Sequence, residues 1–252
     1  MKIRVATWNL NTWVNRKNGI LNDTHWKWAE KHLNADIVIF TEAATPPPHP
    51  VTASGWSIVH RPGGFPGRSN WGTIIGGRNL RVERITHVGK NKKYELDNFF
   101  PGSFTAADVW LANERFATVI GLYLPYRKNR NKDFIGHPTQ DLDTMAEDFV
   151  QLQKDRNSNL IIAGDLNDEY FSLPAVFQDL GGSTKAIVDL FESEKIATFQ
   201  QDWDKSGKYK MDYLFMNKEL AQKVTSKRGG IKAFRSSLKI SDHAPLVAEI
   251  TL

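Results

Sequence analysis

Hydrophobic positions along this chain fall into short runs separated by polar stretches rich in Asn, Gly and Pro. β-Branched and aromatic residues crowd into 3–8 (IRVATW), 36–41 (DIVIFT), 56–60, 73–76, 116–124 (FATVIGLYL), 159–164 (NLIIAG), 212–216 (DYLFM) and 244–251 (APLVAEIT), which predicts strands there. Two stretches follow a helical spacing instead. Segment 23–34 offers Asp23 and Thr24 as N-cap candidates ahead of Trp26, Trp28, Ala29 and Leu33. Segment 139–156 begins beside Pro138 and Thr139 and repeats Leu142, Met145, Ala146, Phe149, Val150 and Leu152. Each predicted helix runs into a strand, 23–34 into DIVIFT and 139–156 into NLIIAG. That parallel predicts an α/β (α+β) chain built as two similar halves of a sheet sandwich flanked by helices. No shift in composition marks a linker, so residues 1–252 read as one domain, and "TPPPHP" at 45–50 reads as a stiff loop. No fixed-period repeat is present, which disfavours solenoids and propellers.

Composition narrows the class. Hydrophobic residues make up 40% and charged ones 24%, as in soluble globular proteins. The apolar runs are strand-sized, far short of the roughly 20 residues that cross a bilayer, so no membrane insertion is expected. "MKIRVATWNLNTW" enters a strand pattern without the features of a signal peptide, and a cytoplasmic location is the expectation. The chain has no cysteine, which removes disulfides, thiol nucleophiles and thiolate metal sites. Any metal must therefore sit on oxygen or imidazole ligands. The net charge of +5 suits an anionic partner, and equally a merely soluble surface. Its distribution says more: "KNKK" at 90–93, "RKNRNK" at 127–132, and Lys205, Lys208 and Lys210 all fall in loop-like stretches, where substrate contacts concentrate. Nothing in the pattern speaks to oligomeric state.

Four strand ends terminate in residues that a core would not accept. Asn9 follows VATW, Glu42 follows IVIFT, Asp165 and Asn167 follow IIAG, and Asp242 with His243 precede APLVAEI. Buried acids are costly unless paired or bound to a cation, so carboxylates collected at strand ends suggest a shared site. A hard cation such as Mg²⁺ suits it, because that ion takes oxygen ligands from one or two carboxylates and a substrate phosphate. Taken singly, each has a structural alternative: Asp165 as a turn cap, Asn9 as a partner of loop backbone, His243 as a hydrogen-bonded core residue.

"TWNLN", "FTEA", "GDLND", "MDYLF" and the terminal "SDHAPLVAEI" together resemble the signature set of the endonuclease/exonuclease/phosphatase superfamily, over residues 5–250 in the expected order. "SNWGTIIGGR" at 69–78 and "GLYLP" at 121–125 add weaker likeness, whereas 79–115 and 170–205 match nothing assignable. The resemblance implies the deoxyribonuclease I-like fold, a four-layer sandwich of two packed mixed β-sheets flanked by helices. It also implies a Mg²⁺-dependent hydrolase of phosphoesters, with Mn²⁺ as a substitute. By that resemblance Glu42 is the principal metal ligand, Asn9 binds metal or phosphate, and Asp242 is a further metal or water ligand. Asp165 orients and deprotonates the attacking water. Asn167 donates to a phosphate oxygen or that water, His243 donates to a non-bridging phosphate oxygen, and Asp212 holds His243 protonated and oriented. Tyr123 ends the central strand, as in the abasic-site endonucleases of the superfamily.

Departures bear on the substrate. Those endonucleases carry an Asn where this chain has Tyr126 and an Asp where it has Asn11, so abasic-site specificity is not implied. Inositol phosphatases extend the last motif to SDHRP; this chain reads SDHAP, which disfavours them. A nuclease acting on DNA or RNA is the leading expectation, supported by cations beside aromatics at Tyr126, Arg127, Lys128 and Arg130 and at Trp203, Lys205, Lys208, Tyr209 and Lys210. A phosphatase or phosphodiesterase for a small molecule or lipid head group is the alternative. A binding module without activity is disfavoured, because Glu42, Asp165 and His243 are all present. Arg68, Trp71 and Arg115 are candidates for shaping the pocket, and packing or salt bridging explains each equally well.

Overall fold

The computed structural model describes residues 1–12, 22–44, 55–62, 71–88, 94–95, 102, 104–123, 152, 156, 159–165, 212–229, 233–241 and 243–252. Their strands are Lys2–Asn9 (β1), Ile37–Ala44 (β2), Trp56–Pro62 (β3), Trp71–Arg78 (β4), Arg81–Ile85 (β5), His87–Val88 (β6), Tyr94–Glu95 (β7), Phe104–Leu111 (β8), Glu114–Tyr123 (β9), Asn159–Asp165 (β10), Asp212–Met216 (β11), Val224–Gly229 (β12) and Leu246–Thr251 (β13). Helices are Asn22–His32 (α1), the single turn Lys218–Ala221 (α2) and a 3-10 turn at Arg235–Lys239.

The strands form one six-stranded sheet, ordered β12-β13-β1-β2-β4-β3, one five-stranded sheet, ordered β11-β10-β9-β8-β5, and the small pair β6-β7. Both large sheets are mixed and built on the same plan. In the first, β1 and β2 are parallel and flanked by antiparallel β13 and β4. In the second, β9 and β10 are parallel and flanked by antiparallel β8 and β11. The two halves expected from the sequence are thus present as two sheets with matching centres.

Side-chain alternation places the core. Ile3 and Val5 of β1 and Ile37 and Ile39 of β2 point into the space between the sheets, against Val119, Ile161, Ala163 and Leu214 of the second. Their neighbours Ala6, Trp8, Val38 and Phe40 point the other way, onto Trp26, Ala29 and Leu33 of α1. Strands covered on both faces read as continuous apolar runs, which is why these segments stand out in the sequence. Helix α1, the first sheet and the second sheet account for three layers. The helix expected over 139–156 lies outside the described residues except for Leu152 and Arg156, both helical.

Some expected boundaries shift. The first helix stops at His32 rather than 34, because Asn34 takes a left-handed φ of 47° that helical residues cannot continue. Strand β2 continues past 41 to Ala44, and β13 starts at Leu246 rather than 244. Within 79–115, the stretch without assignable likeness, lie β5, β8 and the short pair β6-β7. No helix among the described residues is long and apolar enough to cross a membrane.

Candidate active site

The two parallel pairs end at the same place. Asn9 closes β1 beside Thr41 of β2, while Asp165 closes β10 with Tyr123 of β9 on one side and Asp212 of β11 on the other. The sheets meet there through the Asn9 side chain, whose Nδ2 donates to Asp165 Oδ2 at 2.7 Å. Asn9 is fixed in turn, because its Oδ1 accepts the Asn11 amide at 2.8 Å.

Two backbone devices aim the acids. Gly164 has a φ of 144°, and a Cβ at that position would lie 1.9 Å from the Leu122 carbonyl oxygen. Only glycine lets β10 press so closely on β9 in the residue before Asp165. The pairing of β2 with β4 slips between Phe40 and Ala43, and Glu42 inside this bulge has a left-handed φ of 46°. Bulges re-aim side chains, and a left-handed non-glycine residue stores roughly 1–2 kcal/mol of strain.

His243 sits on the segment between the 3-10 turn and β13, 4% exposed. Its Nδ1 donates to Asp212 Oδ2 at 2.6 Å, which leaves Nε2 facing Asp165 Oδ2 at 4.0 Å. The other oxygen of Asp212, Oδ1, is buried with no hydrogen-bond partner among the described residues. Asp165 is 1% exposed. Burial pushes its carboxyl up to about 8; the charge of His243 and the Asn9 amide oppose that rise, and the charges of Asp212 and Glu42 add to it.

These donors fit a divalent cation of the hard type. They are carboxylate and amide oxygens, and the negative charges of Asp212 and Glu42 around Asp165 favour a positive one. Among the described residues no three carboxylate or imidazole groups form a closed cage. An ion held by one or two carboxylates and otherwise by water and substrate, as Mg²⁺ prefers, needs none.

Asn9, Glu42, Asp165, Asp212 and His243 are thus brought to one place. Tyr123 is beside Asp165 in strand register, with its ring edge-on to Trp71 at 5.3 Å. Asn167, Asp242, Arg68 and the basic loops at 90–93, 127–132 and 205–210 lie outside the described residues. Arg115 belongs elsewhere: it donates to the Arg156 carbonyl at 2.6 Å and stands 3.6 Å from Asp108. Two supporting residues carried no chemical signal of their own. Trp8 Nε1 donates to the His243 carbonyl at 2.8 Å. Ser241 Oγ donates to the Asn9 carbonyl at 2.7 Å and accepts the His243 amide at 3.1 Å. Both occur in the motifs "TWNLN" and "SDH", but their partners are backbone atoms, which a sequence does not display.

No protein-family model and no curated protein matches this sequence. Solved structures do. An AP endonuclease from Archaeoglobus fulgidus superposes with a TM-score of 0.65 at 18% identity, over 99% of this chain and 100% of that one. A 3′-5′ exonuclease, NExo, from Neisseria meningitidis gives 0.67 at 17% identity, over 99% and 100%. A structure of the 3′ phosphatase NExo from Neisseria bound to a product DNA hairpin gives 0.62 at 17%, again over 99% and 100%. At these identities the likeness is one of fold.

Proposed function

We propose that this chain, whose fold is deoxyribonuclease I-like, is a metal-dependent phosphoester hydrolase, and specifically a nuclease that cleaves DNA or RNA phosphodiesters with an activated water. The observation that carries the reading is the convergence of Asn9 and Asp165 across the two sheets, with the His243–Asp212 pair beside them. Similar structures with AP endonuclease, 3′-5′ exonuclease and DNA-bound 3′ phosphatase activities favour a nucleic acid over a lipid head group.

In this reading Asp165 takes the proton of the attacking water. Burial raises this carboxyl's affinity for protons, and the charge of His243 opposes that rise, favouring the ionised form that a general base needs. Asn9 orients it through the 2.7 Å hydrogen bond. His243 in its charged form donates from Nε2 to a non-bridging phosphate oxygen as negative charge builds there, and Asp212 fixes the ring from the opposite side. Tyr123, beside Asp165 in strand register, would offer its hydroxyl to the same phosphate. Glu42 and Asn9, with Asp242, would hold Mg²⁺ or Mn²⁺. Such an ion, when bound, neutralises the phosphate and stabilises the leaving oxygen. Asn167 completes the set as a donor to phosphate or water.

Supercoiled-plasmid nicking in Mg²⁺ or EDTA, run beside phosphate release from a panel of phosphomonoesters including 3′-phosphorylated DNA, tests the proposal. Mg²⁺-dependent nicking that disappears in Asp165→Asn is the expected result. Intact plasmid with Asp165-dependent phosphate release would assign the site to monoesters instead.

A further inference from the structure

We infer that His25 is a positioning residue: its imidazole, carried on α1, ties the segment bearing His243 to the end of β1 bearing Asn9. The inference takes its kinetic meaning from the hydrolase reading above, while its structural content stands apart from it. Helix α1 packs on the first sheet with Trp26, Ala29 and Leu33, positions that any apolar residue of similar size would satisfy. His25 is a departure from that pattern. It is 1% exposed, and placing an imidazole there costs desolvation that a leucine would avoid.

What the ring gains in return is contact with both halves of the catalytic margin. Nε2 donates to the Ile240 carbonyl at 2.7 Å, three residues before His243. The Leu10 backbone, next to Asn9, also acts on the ring, and burial outweighs both carbonyls in lowering its pKa. Leu10 is itself locked to β2, its amide donating to the Thr41 carbonyl at 2.9 Å beside Glu42. The ring also lies against Trp8, centroid to centroid 5.7 Å at 63°, and Trp8 is the residue whose indole holds the His243 carbonyl. One imidazole therefore joins the segments that carry Asn9 and His243, and Leu10 extends the link to the strand that carries Glu42. The contacts with Ile240, Leu10 and Trp8 are with supporting groups, so through them its effect reaches the chemistry by placement.

Removing the tether while keeping the volume separates the two roles. His25→Leu fills the space, and His25→Gln restores an N–H donor of comparable reach. The readouts are kcat and KM for Mg²⁺-dependent nicking and the low-field proton resonance of the His243–Asp212 hydrogen bond, identified by its absence in Asp212→Asn. In His25→Leu, kcat is expected to fall roughly 10- to 100-fold with KM within about two-fold, the size of effect that a misplaced group produces. The resonance should broaden or vanish. In His25→Gln both should return most of the way. An unchanged resonance in His25→Leu, or a Gln variant as impaired as the Leu one, overturns the inference. If the parent protein hydrolyses no phosphoester, the functional reading falls, and the resonance still decides the role of His25.

Discussion

Two buried carboxylates in the same five-stranded sheet are treated in opposite ways. Asp108 of β8, 6% exposed, accepts the Thr118 hydroxyl at 2.9 Å, is bridged by Arg156 and has Arg115 at 3.6 Å. Asp165 of β10, two strands away, is more deeply buried. It has an amide and an imidazole for partners and two further acids in its field. The first is a charge neutralised by guanidinium groups, a solution that serves stability. The second is an acid crowded by like charges, an arrangement that in the proposed reading serves chemistry and invites a cation. The comparison teaches that burial alone does not identify a functional acid; the sign of its neighbours does.

The largest expected effect comes from Asp165→Asn. It should lower the rate of phosphoester cleavage by about 10³-fold, the scale of general-base catalysis. It should also alter stability with pH in a definite direction. An acid whose native pKa, about 8, stands above its unfolded value holds extra protons in the native state, so the parent loses stability as pH rises toward 8. Metal-free Asp165→Asn lacks that loss, and its advantage in urea unfolding should grow from pH 5 to pH 8. Arg156→Met tests the opposite member of the comparison. It leaves Asp108 buried with too little compensation and should cost about 3 kcal/mol in unfolding free energy, with kcat unchanged. Asp212→Asn should lower kcat by about 10²-fold, because a neutral amide replaces the carboxylate that orients His243. Glu42→Gly should raise stability by about 1 kcal/mol through relief of the left-handed backbone, and abolish the response to Mg²⁺. Lys27→Met, which removes an exposed pair with Asp23, should change stability by no more than about 0.5 kcal/mol and activity not at all.

Much of the site was legible in the sequence because its residues end apolar runs. "LIIAGD" and "IVIFTE" each place an acid at the end of an apolar run whose residues are buried. The matching centres of the two sheets were legible for the same reason, as a helix or helical pattern leading into each such strand. Strands with mixed faces were not. In β5 (RVERI) three of five residues are exposed, and in β12 (VTSKRG) none is fully buried, so neither has an apolar run to detect. β8 (FTAADVWL) has one, interrupted by Asp108, whose guanidinium partners lie 7 and 48 residues away. Tertiary pairing of that kind leaves no local trace. The bulge that turns Glu42 is equally silent, because it arises from the register of β2 on β4 rather than from a Gly or Pro. Nothing in the sequence singles out Trp8 or His25, and only the structure reveals that each holds a carbonyl of the segment leading to, or including, His243.

The central claim is that Asp165 is a buried acid held protonated by its surroundings until a cation enters. Carbon-13 NMR of the aspartate carboxyls, with Asp165 assigned by the Asn variant, reads this directly across pH 4 to 9 in EDTA and again in Mg²⁺. The account predicts that in EDTA the Asp165 carboxyl stays protonated at pH 6 and titrates near 8, and that Mg²⁺ shifts its titration to markedly lower pH. A carboxyl already ionised by pH 5 in EDTA, or a titration indifferent to Mg²⁺, would contradict it.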